Sequence, residues 1–414
     1  MFKIVRCPVQ LEPFFEPLKA RFLWSHFHYF QLLVLAMAVA YRRHNVSALY
    51  RCLDEKQYAD RSRFNNFFLV GRWDAAEALR EKAYELLGTL NPQPGETVEL
   101  IFDDTKKQKR GKRMEAVAKI FDPVAKQHID GHQYVQATLR FRGFLIPFAV
   151  RLYVSKKNCA PLGLKFKKST EMVAEMIREC VPPSGVHVRV LFDSYYLCPT
   201  VVAATREKGF RFISTGKDNR NLFQNGRKLK AGEYGKTLFR RGRFKRAVNI
   251  KEDGGKTVYE YADAGWLDVS GLGRLHVVFS RRKGDQRAKC LITDDAALAP
   301  RETVIGYTAR FFIEVFFKDA KQLLGLGQYQ NRSYRAAVTH LHLVCFAYAL
   351  LTHVAIRSAS EKGKRKKLQA VHLSTERYQN DLRRIVWRDL AQHLRERPDA
   401  AAILKELDRL LLAS

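Results

Sequence analysis

The segment Val98-Glu-Leu-Ile-Phe-Asp-Asp-Thr105 joins a short apolar run to two adjacent acids, and Val186-His-Val-Arg-Val-Leu-Phe-Asp193 repeats that pattern further along the chain. Short apolar runs rich in Val, Ile and Phe predict strands, here over residues 98–102 and 186–192. Each predicted strand ends in an aspartate, Asp103 or Asp193. Because the carboxyl ends of strands in α/β sheets lie where ligands bind, we expect both acids at that edge.

The order of the surrounding elements predicts the fold class. Further strands are predicted at 134–141, 144–154 and 210–214, and helices at 169–180 and 197–208. Hairpin-linked strands followed by α/β crossovers form the order found in ribonuclease H-like folds. We therefore predict an α/β protein with a ribonuclease H-like catalytic core.

The segments outside this pattern predict three further regions. Residues 1–92 read as a helical N-terminal region, which Asn91-Pro-Gln-Pro-Gly95 separates from a core at 96–214 and 299–350. Residues 215–298 read as a β-rich insertion, and 351–414 as a helical C-terminal region. The N-terminal helices are either a DNA-binding domain or an ordinary bundle with a basic surface. Their arginines are Arg42, Arg43, Arg51, Arg61, Arg63 and Arg72.

The charge of the chain is strongly positive and spread along its length. The 414 residues contain 73 Lys and Arg against 42 Asp and Glu, a formal net charge of +31. Such an excess favours a polyanionic partner, most simply nucleic acid, over a ribosome-associated or membrane-surface role. Cations cluster at 106–113, 227–246, 281–289 and 362–367, although the last cluster reads better as a solvated loop. Tight, salt-sensitive DNA binding is the prediction.

Other bulk features predict a cytoplasmic protein that does not enter a membrane. The most apolar stretches fall short of the roughly 18 residues that a membrane span requires, and the N-terminal sequence lacks the pattern of a signal peptide. The seven cysteines are scattered and odd in number, which predicts neither a zinc module nor a disulfide framework.

A third acid stands on a predicted helix that begins at Pro300 and ends before Gly325. At about 100° per residue, Glu314 shares one face with four other polar residues, and the opposite face is apolar. The four are Tyr307, Arg310, Lys318 and Lys321. A solvated helix with Arg310–Glu314 and Glu314–Lys318 pairs is the plainer interpretation.

Carboxylates gathered at a sheet edge repel one another unless a cation joins them. Mg²⁺ prefers one or two carboxylates with waters and phosphate oxygens, so two or three such acids suit phosphoryl transfer. Two ions held about 3.5–4 Å apart would activate the attacking oxygen and stabilise the leaving one. For a single aspartate at a strand end, a turn or cap role is the better interpretation.

The spacing Tyr307-x2-Arg310-x3-Glu314-x6-Lys321 resembles the YREK signature of bacterial insertion-sequence transposases of the Asp-Asp-Glu (DDE) superfamily. The flanking segments 291–295 and 324–327 are similar to that family's, as are Asp103-Asp-Thr105 and Leu191-Phe-Asp-Ser-Tyr195. The resemblance covers roughly residues 98–350. It departs at Phe311, where the family often has Trp; we interpret this as a packing position.

This resemblance implies a DNA transposase that cuts transposon ends and transfers them into target DNA. Asp103, Asp193 and Glu314 would be catalytic and would bind two Mg²⁺ or Mn²⁺ ions. Tyr307, Arg310, Lys318 and Lys321 would bind double-stranded DNA, that is, terminal inverted repeats and target. A homodimer on paired ends in the bacterial cytoplasm is also implied.

Three points stay open. The family's Asp-x-Thr pattern selects Asp103, but Asp104 remains the alternative, since successive strand residues point to opposite faces and only one should reach the metals. Tyr307 is either a DNA contact or a buried residue. Trp266 is a candidate for stabilising a hairpin intermediate, although a core Trp is the plainer interpretation.

Two other functions are compatible with the same residues. One is a metal-dependent nuclease of this fold that does not transpose; the Tyr, Arg and Lys face around Glu314 argues against it. The other is a domesticated DNA-binding protein derived from a transposase. Loss of a carboxylate would favour it, and all three are present.

Overall fold

The computed structural model describes residues 3–41, 43–54, 60–71, 73–111, 113–122, 126–250, 255–361 and 375–410. Several cations that were considered for DNA binding in the sequence lie outside these ranges: Arg42, Arg72, Lys112 and the cluster 362–367. The fold is mixed α/β, with one large sheet and helices at both ends of the chain, which is compatible with the predicted ribonuclease H-like core.

The α-helices are α1 Glu12–Phe15, α2 Trp24–Val39, α3 Val46–Arg51, α4 Arg61–Val70, α5 Ala75–Thr89, α6 Lys156–Cys159, α7 Ser169–Glu179, α8 Pro199–Glu207, α9 Ala231–Arg240, α10 Pro300–Thr308, α11 Phe311–Gln322, α12 Tyr334–Glu361, α13 Thr375–Arg395 and α14 Ala400–Leu410. Short 3₁₀ helices occupy Val9–Leu11, Glu16–Arg21 and Ala160–Leu162.

The strands are β1 Thr97–Gln108, β2 Ala118–Asp122, β3 Gln127–Phe141, β4 Phe144–Tyr153, β5 His187–Phe192, β6 Arg211–Gly216, β7 Asn221–Gln224, β8 Arg227–Lys230, β9 Lys245–Ile250, β10 Lys256–Val269, β11 Gly273–Arg282 and β12 Lys289–Thr293. Every strand and helix predicted between residues 98 and 214 is present, and β2, the short helix α6 and the 3₁₀ helix Ala160–Leu162 are additions.

The sheet has twelve strands and is mostly antiparallel. Its order is β2-β3-β1-β5-β6-β12-β11-β10-β7-β8, with β4 paired to β3 and β9 to β10. Only the β1–β5 and β5–β6 pairs are parallel. These three strands therefore bring their carboxyl ends to one edge, where the first two predicted acids lie.

β1 is longer than predicted. It does not end before Asp103 but continues to Gln108, because β3 pairs with it from Glu99 to Gln108. Its parallel pairing with β5 stops at Ile101. Residues 106–108 of the predicted basic loop are consequently strand. Asp103 and Asp104 lie just beyond the point where β1 stops pairing with β5 and pairs with β3 alone.

The strands predicted as an insertion extend the core sheet. β12 pairs antiparallel with β6, and β11 and β10 follow outward from it. This part of the chain also contains α9. The boundaries of the predicted domains stay predictions.

Helix α12 is the central core helix. It packs against β4, α2 and α5, and residues 341–351 are almost entirely buried. The stretch Tyr334–Ser360 is long and apolar enough to cross a membrane, but 94% of its most apolar window is buried inside the fold. α2 is likewise enclosed, since every residue from Leu32 to Val39 has no exposed surface. The second half of α2 is therefore core, whereas Trp24 in its first turn is 81% exposed, and the DNA-binding role of the N-terminal helices stays a prediction.

The helix predicted after Pro300 is in fact two helices. It begins at Pro300 as predicted, but α10 ends at Thr308 and α11 begins at Phe311. The amides of Ala309 and Arg310 bond three residues back, to Gly306 and Tyr307, which is the 3₁₀ pattern.

The break lets the two helices pack on different strands. Val304 of α10 joins a cluster with Tyr261, Val278 and Leu291 of the outer strands. α11 instead packs against β1. After α11, Gly325 has φ +69, a left-handed conformation that glycine adopts without strain; a side chain there would also collide with His44.

Candidate active site

Asp103 lies on β1, and Asp193 directly follows the end of the neighbouring strand β5. The β1–β5 register pairs Ile101 with Leu191, so continuing it by two residues brings Asp103 opposite Asp193. Neighbouring strands are about 4.8 Å apart. The main-chain amide of Tyr195 donates to Asp193 Oδ1 at 2.9 Å, which orients that carboxylate at the turn after β5.

The side chains of Asp103 and Asp104 point to opposite faces of β1. Asp103 Oδ2 accepts from Arg310 Nη2 at 3.2 Å, so Asp103 faces the start of α11. Asp104 Oδ2 accepts from Tyr196 Oη at 3.1 Å, on the other face. Thr105 shares the face of Asp103 and accepts from Lys321 Nζ of α11 at 2.6 Å. This arrangement favours Asp103 over Asp104 as the partner of Glu314, as the sequence pattern predicted.

Arg310 joins two of the three predicted acids. Its Nη1 donates to Glu314 Oε1 at 2.8 Å while Nη2 donates to Asp103. The side chain of Arg310 is 14% exposed and that of Asp103 17%, whereas Glu314 is 50% exposed. The guanidinium therefore lies between a nearly buried carboxylate and an open one.

Burial makes negative charge costly at this edge of the sheet. The pKa of Asp103 is raised to about 7, chiefly by burial; Arg310 opposes the rise, and Asp193 and Asp104 add to it. Burial also raises the pKa of Asp104, and Asp193 contributes there too. The negative charge of Asp193 thus acts on both Asp103 and Asp104, an arrangement that a bound cation would stabilise.

A cleft of about 780 Å³ opens beside these groups. Two groups of elements line it and are here called its walls: the turn after β5 with α10 and α11, and β6 and the loop after it with β10, β11 and the turn between β11 and β12. The first wall includes Asp193, Tyr307, Arg310, Phe311 and Glu314. The second includes the cations Arg281, Arg282, Arg287 and Lys289 together with Asp218 and Asp285. Acids and cations thus line one cleft, which suits a phosphodiester held beside a metal site.

Comparison with known proteins identifies the family. A family model described as DDE superfamily endonuclease matches residues 14–264. This chain belongs to that family. The matched region includes Asp103 and Asp193 and ends before Glu314, and the roles of all three acids stay predictions. A search of curated proteins found no match. The YREK branch within the superfamily stays a prediction.

Membership as a DDE endonuclease makes this a nuclease- or transposase-type enzyme that acts on DNA. Such nucleases normally use divalent metal ions. The donors here are carboxylate oxygens, the ligands that Mg²⁺ and Mn²⁺ prefer, and their charges are costly without a cation, so the residues fit such ions. Within the described ranges, however, no three Asp, Glu, His or Cys side chains are gathered to hold a metal. The guanidinium of Arg310 lies between two of the acids instead.

The four residues predicted to bind DNA in this DDE endonuclease have different surroundings. Arg310 and Lys321 are engaged with Asp103, Glu314 and Thr105, as described above. Tyr307 is mostly buried, and its hydroxyl lies 3.3 Å from Thr215 Oγ1. Lys318 is exposed on α11. The structure thus favours the buried interpretation of Tyr307, while the DNA-binding roles stay predictions.

Two aromatic residues are placed differently from the sequence interpretation. Phe311 was interpreted as a packing residue, but it is 60% exposed and lines the cleft, because the helix break turns the first residue of α11 outward. For Trp266, a place in the core was the plainer interpretation of the sequence. In the structure it is 39% exposed and stacks on His276 at a centroid distance of 5.5 Å. Trp266 lies seven positions along β10 from Tyr259 of the cleft, or roughly 23 Å of strand.

The cationic wall of the cleft was only partly anticipated. The cluster 281–289 was predicted to contribute to DNA binding, but nothing in its sequence indicated that it lines the same cleft as Glu314. Conversely, Lys109 of the cluster 106–113 is buried and donates to the carbonyls of Gly327 and Tyr329 at 2.8 and 3.2 Å. The turn after α11 therefore covers one of the cations that were counted in that cluster.

Proposed function

We propose that this DDE endonuclease is a DNA transposase that cuts transposon ends and joins them to target DNA. The observation that carries the proposal is that Arg310 joins Asp103 to Glu314 beside a cleft that Asp193 and several cations also line. The YREK spacing adds the expectation of strand transfer, because it resembles the signature of insertion-sequence transposases.

In this proposal Asp103, Asp193 and Glu314 hold two Mg²⁺ or Mn²⁺ ions. When bound, the ions supply activation of the attacking oxygen and charge stabilisation at the leaving oxygen. The buried position of Asp103 excludes water from that side of the site and strengthens the electrostatic interactions there. Asp104 remains the alternative first acid, but its bond to Tyr196 turns it away from α11.

The cations on both walls position the DNA. Arg282, Arg287 and Lys289 line the same cleft as Glu314 and would neutralise the phosphates of a strand that enters it, with Arg287 exchanging its present partner Asp218 for a phosphate. Arg310, Lys318 and Lys321 would hold the phosphates on the α11 side. Water attacks the phosphodiester first, and the freed 3′-hydroxyl then attacks target DNA in the same cleft.

The remaining parts of the proposal concern the assembly. Two copies of the chain would bind a pair of terminal inverted repeats in the bacterial cytoplasm. The exposed arginines of the N-terminal helices, Arg43, Arg51, Arg61 and Arg63, are available for such contacts. A nuclease that does not transpose and a DNA-binding derivative are the two competing functions.

The test uses the full-length protein with DNA carrying the element's own terminal repeats and Mg²⁺. We expect wild type to release the ends and to join them to a target plasmid. Asp103→Asn, Asp193→Asn and Glu314→Gln should each retain DNA binding and lose cleavage by at least about a thousandfold. Asp104→Asn is the matched control and should be milder.

The outcomes separate the three functions. Cleavage without any joined product would indicate a nuclease. Binding to the repeats with no cleavage by wild type would indicate a DNA-binding derivative. Near-normal cleavage by Asp103→Asn together with an inactive Asp104→Asn would show that the first catalytic acid is Asp104 rather than Asp103.

A further inference from the structure

We propose that Arg310 is an internal cation that holds Asp103 and Glu314 together until metal ions replace it, after which its guanidinium is free for the DNA. The inference rests on the proposed metal site. It assigns Arg310 two successive partners: the two carboxylates in the resting protein, and a DNA phosphate once the metal is bound.

The first support is the bridging geometry. Two different guanidinium nitrogens contact two different carboxylates, at 2.8 Å for Glu314 and 3.2 Å for Asp103. A guanidinium fork suits such double contacts better than an ammonium does. The cation therefore occupies the space between two of the acids that a bound metal would need, and both cannot be there at once.

The second support is that this position satisfies Arg310 incompletely. Its Nε is buried and has no hydrogen-bond partner in the described part of the chain. A buried donor without a partner destabilises the conformation that holds it. Moving the Arg310 side chain out of this position therefore costs less free energy than moving a side chain whose donors are all bonded.

The third support is the local backbone. Arg310 lies at the two-residue break between α10 and α11, where the amides of Ala309 and Arg310 make 3₁₀ bonds rather than α-helical ones. α10 and α11 pack on different strands, so a change at the break need not unfold either helix. The structure thus places the bridging residue where the chain is least constrained by its own helix.

The fourth support is the position of Arg310 relative to the cleft. Its side chain lines the cleft together with Arg282, Arg287 and Lys289. A guanidinium that leaves the carboxylates therefore remains beside the path of the phosphates. The same movement that opens the metal site would add a cation to the DNA-binding wall.

The exchange predicts that removing Arg310 strengthens metal binding in the absence of DNA. The measurement is Mn²⁺ titration of full-length wild type and Arg310→Gln, followed by the electron paramagnetic resonance signal of free Mn²⁺. We expect Arg310→Gln to bind Mn²⁺ about tenfold more tightly, within the usual range for competition between two sites. Lys318→Gln removes an exposed cation from the same helix and is the matched control, with an expected change below about twofold.

Two results of this titration would overturn the inference. Equal or weaker Mn²⁺ binding by Arg310→Gln would show that Arg310 supports the carboxylates rather than competes for them. Equal tightening by Lys318→Gln would assign the effect to net charge. If wild type and Glu314→Gln bind Mn²⁺ identically or not at all, the proposed metal site fails and this inference fails with it.

A measurement on wild type covers the case in which Arg310→Gln does not fold. Phenylglyoxal modifies accessible guanidinium groups, and peptide mass spectrometry can follow Arg310 separately from other arginines. Because Arg310 is 14% exposed in the bridging position, Mn²⁺ should increase its rate of modification severalfold. An unchanged or lower rate at saturating Mn²⁺ would contradict the exchange.

Discussion

The buried side chain of Lys109 contacts the turn after α11, and its titration should affect the stability of the protein. Its ammonium is buried, donates to the carbonyls of Gly327 and Tyr329, and lies 3.3 Å from the centroid of the Tyr329 ring. Burial lowers the pKa of Lys109 from 10.5 to about 7, and the charge of Lys107 contributes. We predict that this lysine makes the stability of the protein depend on pH.

The sign follows from the lowered pKa. Between pH 7 and 10.5 the unfolded chain binds more protons at Lys109 than the folded chain does, so the free energy of unfolding rises with pH. The penalty for the buried charge is fully present below pH 7 and disappears as the pH approaches 10.5. Between pH 6.5 and 9.5, the titration of Lys109 therefore increases the free energy of unfolding by about 3 kcal/mol.

The assay is thermal melting of wild type and Lys109→Met at several pH values between 6.5 and 9.5. With an unfolding entropy of about 2.1 cal/mol/K per residue, about 3 kcal/mol corresponds to roughly 3–4 °C for a chain of this length. The melting temperature of wild type relative to Lys109→Met should therefore rise by that amount. Comparing the two proteins cancels the titration of all other groups.

Lys119→Met provides the control, because Lys119 is exposed on β2. Its melting temperature should run parallel to that of wild type. A difference between wild type and Lys109→Met that stays constant over the whole pH range would refute the reasoning, because the buried amine would then titrate as it does in the unfolded chain.

Two further predictions concern DNA. If about eight phosphates are neutralised, log K for DNA binding should fall with log salt at a slope of roughly −7, and a slope near zero would mean that the charge of +31 serves another partner. Lys321→Ala should cost only about 1 kcal/mol of stability, because a single hydrogen bond to Thr105 is lost, yet reduce end cleavage by on the order of tenfold to a hundredfold. Unchanged cleavage by Lys321→Ala would show that this lysine only stabilises the fold and does not act on the DNA.

The order of strands and helices between residues 98 and 214 was predictable because each element carries its own local pattern. The exact end of β1 was not. The apolar run stops at Phe102, but the backbone stays extended to Gln108 because β3 supplies hydrogen bonds along that whole length. Pairing with a distant strand leaves no mark in the local run of apolar residues.

The face around Glu314 was predicted in part. The spacing of Arg310 and Glu314 predicted a contact between them, and they are 2.8 Å apart. The contact of Arg310 with Asp103 joins residues 207 positions apart. The periodicity of a single helix cannot predict a contact with a strand so far away in the sequence. The helix break was also not predicted, although Val304 lies about half a turn away from Ile313 on a continuous helix and the two pack in different clusters.

Counting charge along the sequence does not show which cations are available to DNA. Lys109 and Arg282 each belong to a basic cluster, but the first is buried beneath Tyr329 and the second lines the same cleft as Glu314. The difference arises from tertiary contacts: the turn after α11 covers Lys109, whereas Arg282 ends β11 at the cleft. A buried lysine costs desolvation energy that an exposed one does not, so clusters of equal charge can stabilise the fold in one place and bind phosphate in another. For this DDE endonuclease, the DNA-binding surface is therefore better defined by the walls of the cleft than by the density of Lys and Arg in the sequence.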